Sequence, residues 1–358
     1  MAKPLAGIRV VEFTHVVMGP LVGKVLQELG AEVTHIEPPG GDPTRAMQGF
    51  GKGFFTFYNH GKRCEEIDLK SPSGQERIEQ ILSSADVLVE NYAPRVMGRL
   101  GLGEQDLRLR FPRLIYCSLK GFLEGPYEQR IAVDEVVQMM GGLAYMTGLP
   151  GQPMRAGTSA LDITGGLFGV IGILTALFER HTSGQGKFVS ASLFESSAFL
   201  MGQFMAGLPL RHTPAGELEH DSIAPMPSRE QIWAVYQLFE TRGDKQVFLA
   251  VVSDKHWQQV CTAFDWQDLA ADARYSTGAA RLEHQQALVD IIAARLRDMA
   301  YPEVIRICRA HNLPFGEVNS PADLLTDEHL NVGGHLVEIT MADGSFLRIP
   351  RLPLTYRK

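Results

Sequence analysis

Between residues 8 and 120 short apolar runs alternate with helix-patterned segments, and that order constrains the fold more than any other feature of the chain. Residues 8–13 read as a strand, and a polar, glycine-containing turn follows at Thr14–Pro20. A helix with apolar Leu21, Val25, Leu26 and Leu29 comes next and stops at Gly30. Further strands are expected at 33–36, 65–69, 85–90 and 114–119, with a helix capped by Ser71 running to Leu82. Strands separated by helices imply a parallel sheet covered on both faces, with ligands bound beyond the carboxyl ends of the strands. His15, Asn91, Tyr92 and Lys120 all lie just past such ends and outline one crevice.

Helices are expected at about 131–147 and 161–181, joined by the Gly- and Pro-rich segment Gly148–Gly157, with a strand at 187–191 and a helix to about 206. Composition shifts to Pro, His, Glu and Ser over Leu208–Arg229, which reads as a linker. A hairpin at 232–240 and 246–252 and helices near 254–264, 281–299 and 302–310 then suggest a smaller α+β domain. A last hairpin is expected at 335–339 and 345–349. The division is a large domain over 1–207, a linker over 208–229, a small domain over 230–320, and a return segment over 321–358 that completes the large domain.

With 358 residues the chain exceeds one typical domain. A formal charge of -7 supplies no basic footprint for nucleic acid. Four scattered cysteines, with no paired spacing, read as free thiols in a reducing compartment, and the N-terminus has no signal-peptide pattern. A cytoplasmic protein is expected. The run from Leu161 to Phe178 approaches membrane-spanning length, but Asp162, Thr164, Thr175 and its glycines favour a buried helix.

That run is also where the chemistry concentrates. At helical period Asp162, Gly165, Gly166, Gly169 and Gly172 share one face, so a carboxylate stands at one end of a stripe without side chains. Helical glycine costs about 1 kcal/mol relative to alanine, so the stripe implies close approach by a ligand or a second element. A carboxylate at a helix N-terminus gains roughly 0.3–1 kcal/mol, which should keep Asp162 ionised and ready to attack. The nucleophile elbow, the zinc-binding H-E-x-x-H and the phosphate-cradling P-loop are absent, and no metal is expected. The first strand, helix and second strand have a dinucleotide-binding outline, but Gly19 and Gly23 do not complete its glycine fingerprint.

Several ordered pieces carry a resemblance. They are Val11-Glu-Phe-Thr-His15 with Gly19-Pro20, the segment from Leu29 to Glu37-Pro38, and Gly41-Asp42 with Arg45. Leu69-Lys70 with Gly74, Asp86 to Asn91-Tyr92, Leu161-Asp162 with Gly165-Gly166, and Gly186-Lys187 with Ser190 follow in order. Together they resemble the class III CoA-transferases, a family that includes formyl-CoA transferase, carnitine CoA-transferase and α-methylacyl-CoA racemase. The resemblance implies a Rossmann-like large domain, a smaller α+β domain, and a homodimer of interlocked rings. It also implies that Asp162 attacks an acyl-CoA thioester, passing through a mixed anhydride and an aspartyl-CoA thioester before a carboxylic acid collects the CoA. His15, Lys70, Asn91, Tyr92, Arg99 and Lys120 match the family's CoA-contacting positions, while Asp134 and Gln138 fall where transferases line the site. CoA is then a substrate carrier, no other cofactor is implied, and the partners are an acyl-CoA and a small carboxylic acid.

Two departures refine the expectation. Racemases place a histidine before the aspartate matching Asp134, where this chain has Ala132-Val133. Transfer is therefore expected over racemisation, and a non-catalytic CoA- or nucleotide-binding protein is the alternative from another class. Formyl-CoA transferases carry a glycine run where this chain has Ala215 to Asp221, which argues against oxalate. Arg211, His212, His220 and Arg229 are candidates for holding a second carboxylate, with a solvated loop as the plainer reading.

Overall fold

Six parallel strands make the central sheet: β1 (Arg9–Phe13), β2 (Glu32–Glu37), β3 (Arg63–Glu66), β4 (Val87–Glu90), β5 (Ile115–Lys120) and β6 (Phe188–Ser192). Their order is 3-2-1-4-5-6, so the chain reverses direction across the sheet between β1 and β4. The computed structural model describes residues 3–49, 51–207, 225–226, 232–341 and 344–356. It divides into two compact units, Met1–Arg229 and Glu230–Lys358. The linker expectation, with its candidate residues, falls almost wholly outside the described residues.

In the first unit the connections are helical: α1 (Met18–Glu28), α2 (Gly51–Asn59), α3 (Pro72–Leu82), α4 (Val96–Arg99), α5 (Glu104–Arg110), α6 (Asp134–Met140), α7 (Leu143–Thr147), α8 (Ala160–Ser183) and α9 (Leu193–Gly207). Strands β1, β4 and β5 are buried almost throughout, as sheet strands covered on both faces must be. Ser71 caps α3 as expected, its Oγ accepting from the Gly74 amide at 3.0 Å. Gly74 is required there because a Cβ would stand 1.9 Å from the Asp68 carbonyl oxygen.

Three boundaries differ from expectation. The third strand lies at 63–66, not 65–69, because its partner β2 ends at Glu37, after which the chain turns on Asp68. The helix expected at 131–147 is two, broken at Gly142 with φ +87°. Helix α2 was not anticipated, since glycines at 51 and 53 mask a segment whose Phe55 and Tyr58 are buried.

Helix α8 rests its glycine stripe on the fold. A Cβ on Gly165 would meet Met18 at 2.5 Å, on Gly166 the Met18 carbonyl at 2.9 Å, on Gly169 Leu119 at 2.8 Å, and on Gly172 Val189 at 2.4 Å. The close approach inferred from sequence is therefore made by α1, β5 and β6. By length and composition α8 is able to cross a membrane, but here this face is packed against its own sheet.

The second unit contains an antiparallel sheet of β7 (Tyr236–Thr241), β8 (Lys245–Ala250) and, beyond the expected hairpin, β9 (Phe315–Glu317). Asp244 and Gly243 turn the hairpin with positive φ. Helices α10 (Asp254–Ala263), α11 (Gln267–Ala271), α12 (Gly278–Glu283), α13 (Gln285–Arg297) and α14 (Tyr301–Ala310) cover it around Trp257, Tyr275, Leu288, Ile292 and Val304. The helix expected at 281–299 thus divides at His284. Helix α15 (Glu328–Val332) and the hairpin of β10 (Leu336–Thr340) and β11 (Phe346–Pro350) end the unit. Residues 321–358 belong to this second unit.

Candidate active site

The switch point between β1 and β4 is where a doubly wound sheet opens a ligand crevice. His15 follows β1, Asn91 and Tyr92 follow β4, and Lys120 ends β5, so sequence reasoning placed these four at one edge correctly. Asn91 stitches the two loops across the switch point. Its Oδ1 accepts from the His15 amide at 3.0 Å, and its Nδ2 donates to the His15 carbonyl at 3.0 Å. Tyr92 lies beside the His15 imidazole, with ring centroids 5.7 Å apart. Burial holds the His15 imidazole below its usual range, with Asp42 acting against it.

The turn carrying His15 is strained. Val16 has φ +64°, a left-handed value that a β-branched residue rarely adopts, and its amide donates to Thr44 Oγ1 at 3.2 Å. Lys120 is anchored by buried Glu90: Nζ donates to Glu90 Oε1 at 2.7 Å and to the Tyr92 carbonyl at 3.2 Å. Glu90 also accepts from the Tyr92 amide and the Ser118 hydroxyl, so one carboxylate organises the ends of two strands. The strand-end position of Glu90 was visible in sequence, but its anchoring role was not. Lys70, in the turn before the α3 cap, and Arg99, on α4, are exposed.

Asp162 occupies the first turn of α8, one turn before Gly165. Because Gly165 and Gly166 pack on Met18 and the Ser192 carbonyl, the turn lies at the same sheet edge as the loops above. The α8 N-cap, Ser159, makes no side-chain cap. Asp134 supplies it from α6, its Oδ2 accepting from the amides of Leu161 at 2.7 Å and Asp162 at 2.9 Å. Gln138 bonds Asp134 Oδ1, and its Oε1 accepts from the Ala156 amide at 2.8 Å. Both residues are buried, and they brace the turn that presents Asp162.

The expectation that the helix N-terminus keeps Asp162 readily ionised does not hold. Burial, then the negative charges of Asp134 and Glu135, push its carboxyl up to about 7. Desolvation outweighs a dipole that the Asp134 cap already partly satisfies. Such a carboxylate is poorly solvated when it ionises, which suits a nucleophile at neutral pH. Tyr58 of α2, which sequence reasoning passed over, is near enough to feel that charge. Burial and then Asp162 push its phenol up to about 12.

Behind the β1 loop lies a buried ionic chain that sequence reasoning also missed. Lys62 Nζ donates to Glu12 Oε1 at 2.6 Å, to the Pro20 carbonyl and to Asn59. His35 joins Glu12 Oε1 at 2.9 Å through Nδ1 and Asp42 Oδ2 at 3.2 Å through Nε2. Gly23 makes room for it, since a Cβ there would lie 1.8 Å from Glu12 Oε2. The signal was present: Glu12 and His35 interrupt otherwise apolar strands. Among the described residues, no group of three potential ligands is arranged to hold a metal.

Fold and site thus define an α/β protein whose switch-point edge carries basic and aromatic side chains and a half-buried carboxylate. The profile of CoA-transferase family III matches residues 5–358, and the chain belongs to that family. It is 32% identical to a succinate–glutarate CoA-transferase of Agrobacterium fabrum, covering 98% of this chain and 89% of the relative. It is 31% identical to a formyl-CoA:oxalate CoA-transferase of Rhodopseudomonas palustris (strain BisA53), covering 95% and 84%. The crystal structure of a CAIB/BAIF family protein from Brucella suis superposes with a TM-score of 0.85 at 29% identity, covering 99% of this chain and 93% of that one.

Proposed function

We propose that the chain moves CoA between an acyl-CoA and a small dicarboxylic acid, with Asp162 as nucleophile. The observation that carries the mechanism is a half-buried carboxylate, pushed up to about 7, whose helical turn is held by the Asp134 cap. Its Oδ attacks the thioester carbonyl; the C–S bond breaks, CoA leaves as thiolate, and an aspartyl–acyl anhydride forms. The thiolate attacks the aspartyl carbonyl, releasing the donor acid and leaving an aspartyl-CoA thioester. The acceptor carboxylate then displaces CoA to give a new anhydride. CoA thiolate attacks the acceptor's acyl carbon and frees Asp162. One thioester is made for each one broken, so no other cofactor is needed.

His15, Lys70, Asn91, Tyr92, Arg99 and Lys120 are proposed to hold CoA, the cations facing its phosphates. Asp134 and Gln138, already engaged in bracing α8, line the site from behind. Val133 offers no imidazole beside Asp134, which favours transfer over racemisation. A dicarboxylate acceptor is supported by the succinate, glutarate and oxalate in the names of the relatives. An interlocked homodimer belongs to the same proposal and is supported by the apolar faces that α8 and α9 leave uncovered.

Incubation with succinyl-CoA, followed by hydroxylamine or borohydride and peptide mapping, should mark Asp162. An active enzyme whose Asp162 stays unmodified under conditions that trap a mixed anhydride would exclude this nucleophile. Exchange assays across oxalate, succinate, glutarate and monocarboxylates then identify the acceptor.

A further inference from the structure

The buried ionic chain behind β1 ends on the strained turn. From Lys62 it runs through Glu12, His35 and Asp42; Asp42 Oδ1 accepts from the Thr44 amide at 2.7 Å, and Thr44 Oγ1 accepts from the Val16 amide at 3.2 Å. A left-handed valine persists only where its surroundings over-determine it, and this bond ties Val16 to the chain. The geometry points to Glu12, His35, Asp42 and Thr44 as a positioning relay that holds the Val16 turn, and with it His15 and the start of α1, in the posture that receives coenzyme A. The inference rests on the CoA-transfer reading for its ligand, but not for its mechanics.

The relay depends on how His35 is protonated. Its ring faces a carboxylate at each nitrogen, Glu12 from β1 and Asp42 from the loop after β2, so both bonds need an N–H donor. Lys62 presses on it from before β3, His15 from the crevice, and Glu37 and Arg45 flank Asp42; β3 places Cys64 opposite, and α2 offers the edge of Phe55. Burial pulls the imidazole down, but the Asp42 and Glu12 bonds outweigh it and hold it up to about 8. Loss of either ring proton sets a lone pair against a carboxylate oxygen and removes the positive charge that Glu12 and Asp42 share, which loosens the relay.

The sign follows from that raised value. The contribution of His35 is complete below its unfolded pKa of about 6.5 and is lost as pH rises through about 8. Hydrogen exchange of the 14–19 peptide in the ligand-free full chain, corrected for intrinsic rates, should show protection falling between about pH 7 and about pH 9. His35→Gln should abolish that step. Thr44→Val should leave the turn unprotected throughout, and Thr44→Ser should restore the step. The Kd for coenzyme A should weaken about fivefold to tenfold across the same window, as one lost hydrogen bond allows, while kcat at saturating succinyl-CoA lacks the step. Flat protection in the wild-type chain, or a step retained in His35→Gln, overturns the relay. A protection step in a chain that binds no coenzyme A overturns its ligand and the CoA-transfer reading together.

Discussion

Asp162 is the proposed nucleophile, and its neighbours would set the pH at which it works. A nucleophilic carboxylate acts only when ionised, so kcat/KM for acyl-CoA should rise with pH through about 7. Asp134→Asn removes the more effective of the two negative charges that raise it, so the acid limb should move to lower pH. The same change weakens the α8 cap and should cost about 1 kcal/mol of stability in urea melts. An unmoved limb would show that burial alone sets the Asp162 pKa. Residues at this scale were legible from sequence where position alone decides, as with His15, Asn91, Tyr92 and Lys120 past strand ends. Glu90, Tyr58 and the His35 chain were not, because their partners stand on strands and helices far away in sequence. No periodicity tells which acid meets which base.

At the scale of elements, α8 combines two requirements on one helix. Its first turn presents a carboxylate, and its glycines let the sheet and α1 approach within backbone contact. The glycine stripe was legible as close packing, but not what it packs against, since that follows from strand order and crossover geometry. Runs of paired strands were read well because alternation survives local noise; α2 escaped because its glycines lower helix propensity while Phe55 and Tyr58 repay them by burial. Gly166→Ala is the sharpest test of the interface. Its Cβ would meet the Met18 carbonyl, a backbone atom at the start of α1 that moves only with the helix. The clash should cost roughly 1–3 kcal/mol and outweigh the gain of about 1 kcal/mol in helix propensity. A melting temperature equal to or above that of the wild type would mean that α1 shifts freely, and that the Met18 turn is not a fixed wall of the crevice.

At the scale of the molecule, the face of α8 opposite the glycines decides what the chain assembles with. Leu167, Ile171 and Phe178 recur there at helical spacing and are exposed, Phe178 by 81%. Phe199, Leu200 and Met205 of α9 and Val136 and Met139 of α6 extend the apolar surface across three helices that pack on one another. A surface of that kind on a lone chain marks an interaction site, and the proposed homodimer would seat a second copy on it. Sedimentation at micromolar concentration should give twice the 39.5 kDa chain mass, unchanged on dilution. Rings that interlock while folding cannot simply separate. For the same reason Ile171→Asp with Phe178→Asp should lower the yield of folded protein and not release a soluble monomer, because two buried unpaired charges on each copy oppose assembly and folding together. A folded wild-type monomer would remove the interlocked dimer from the proposal and leave this face to a different partner.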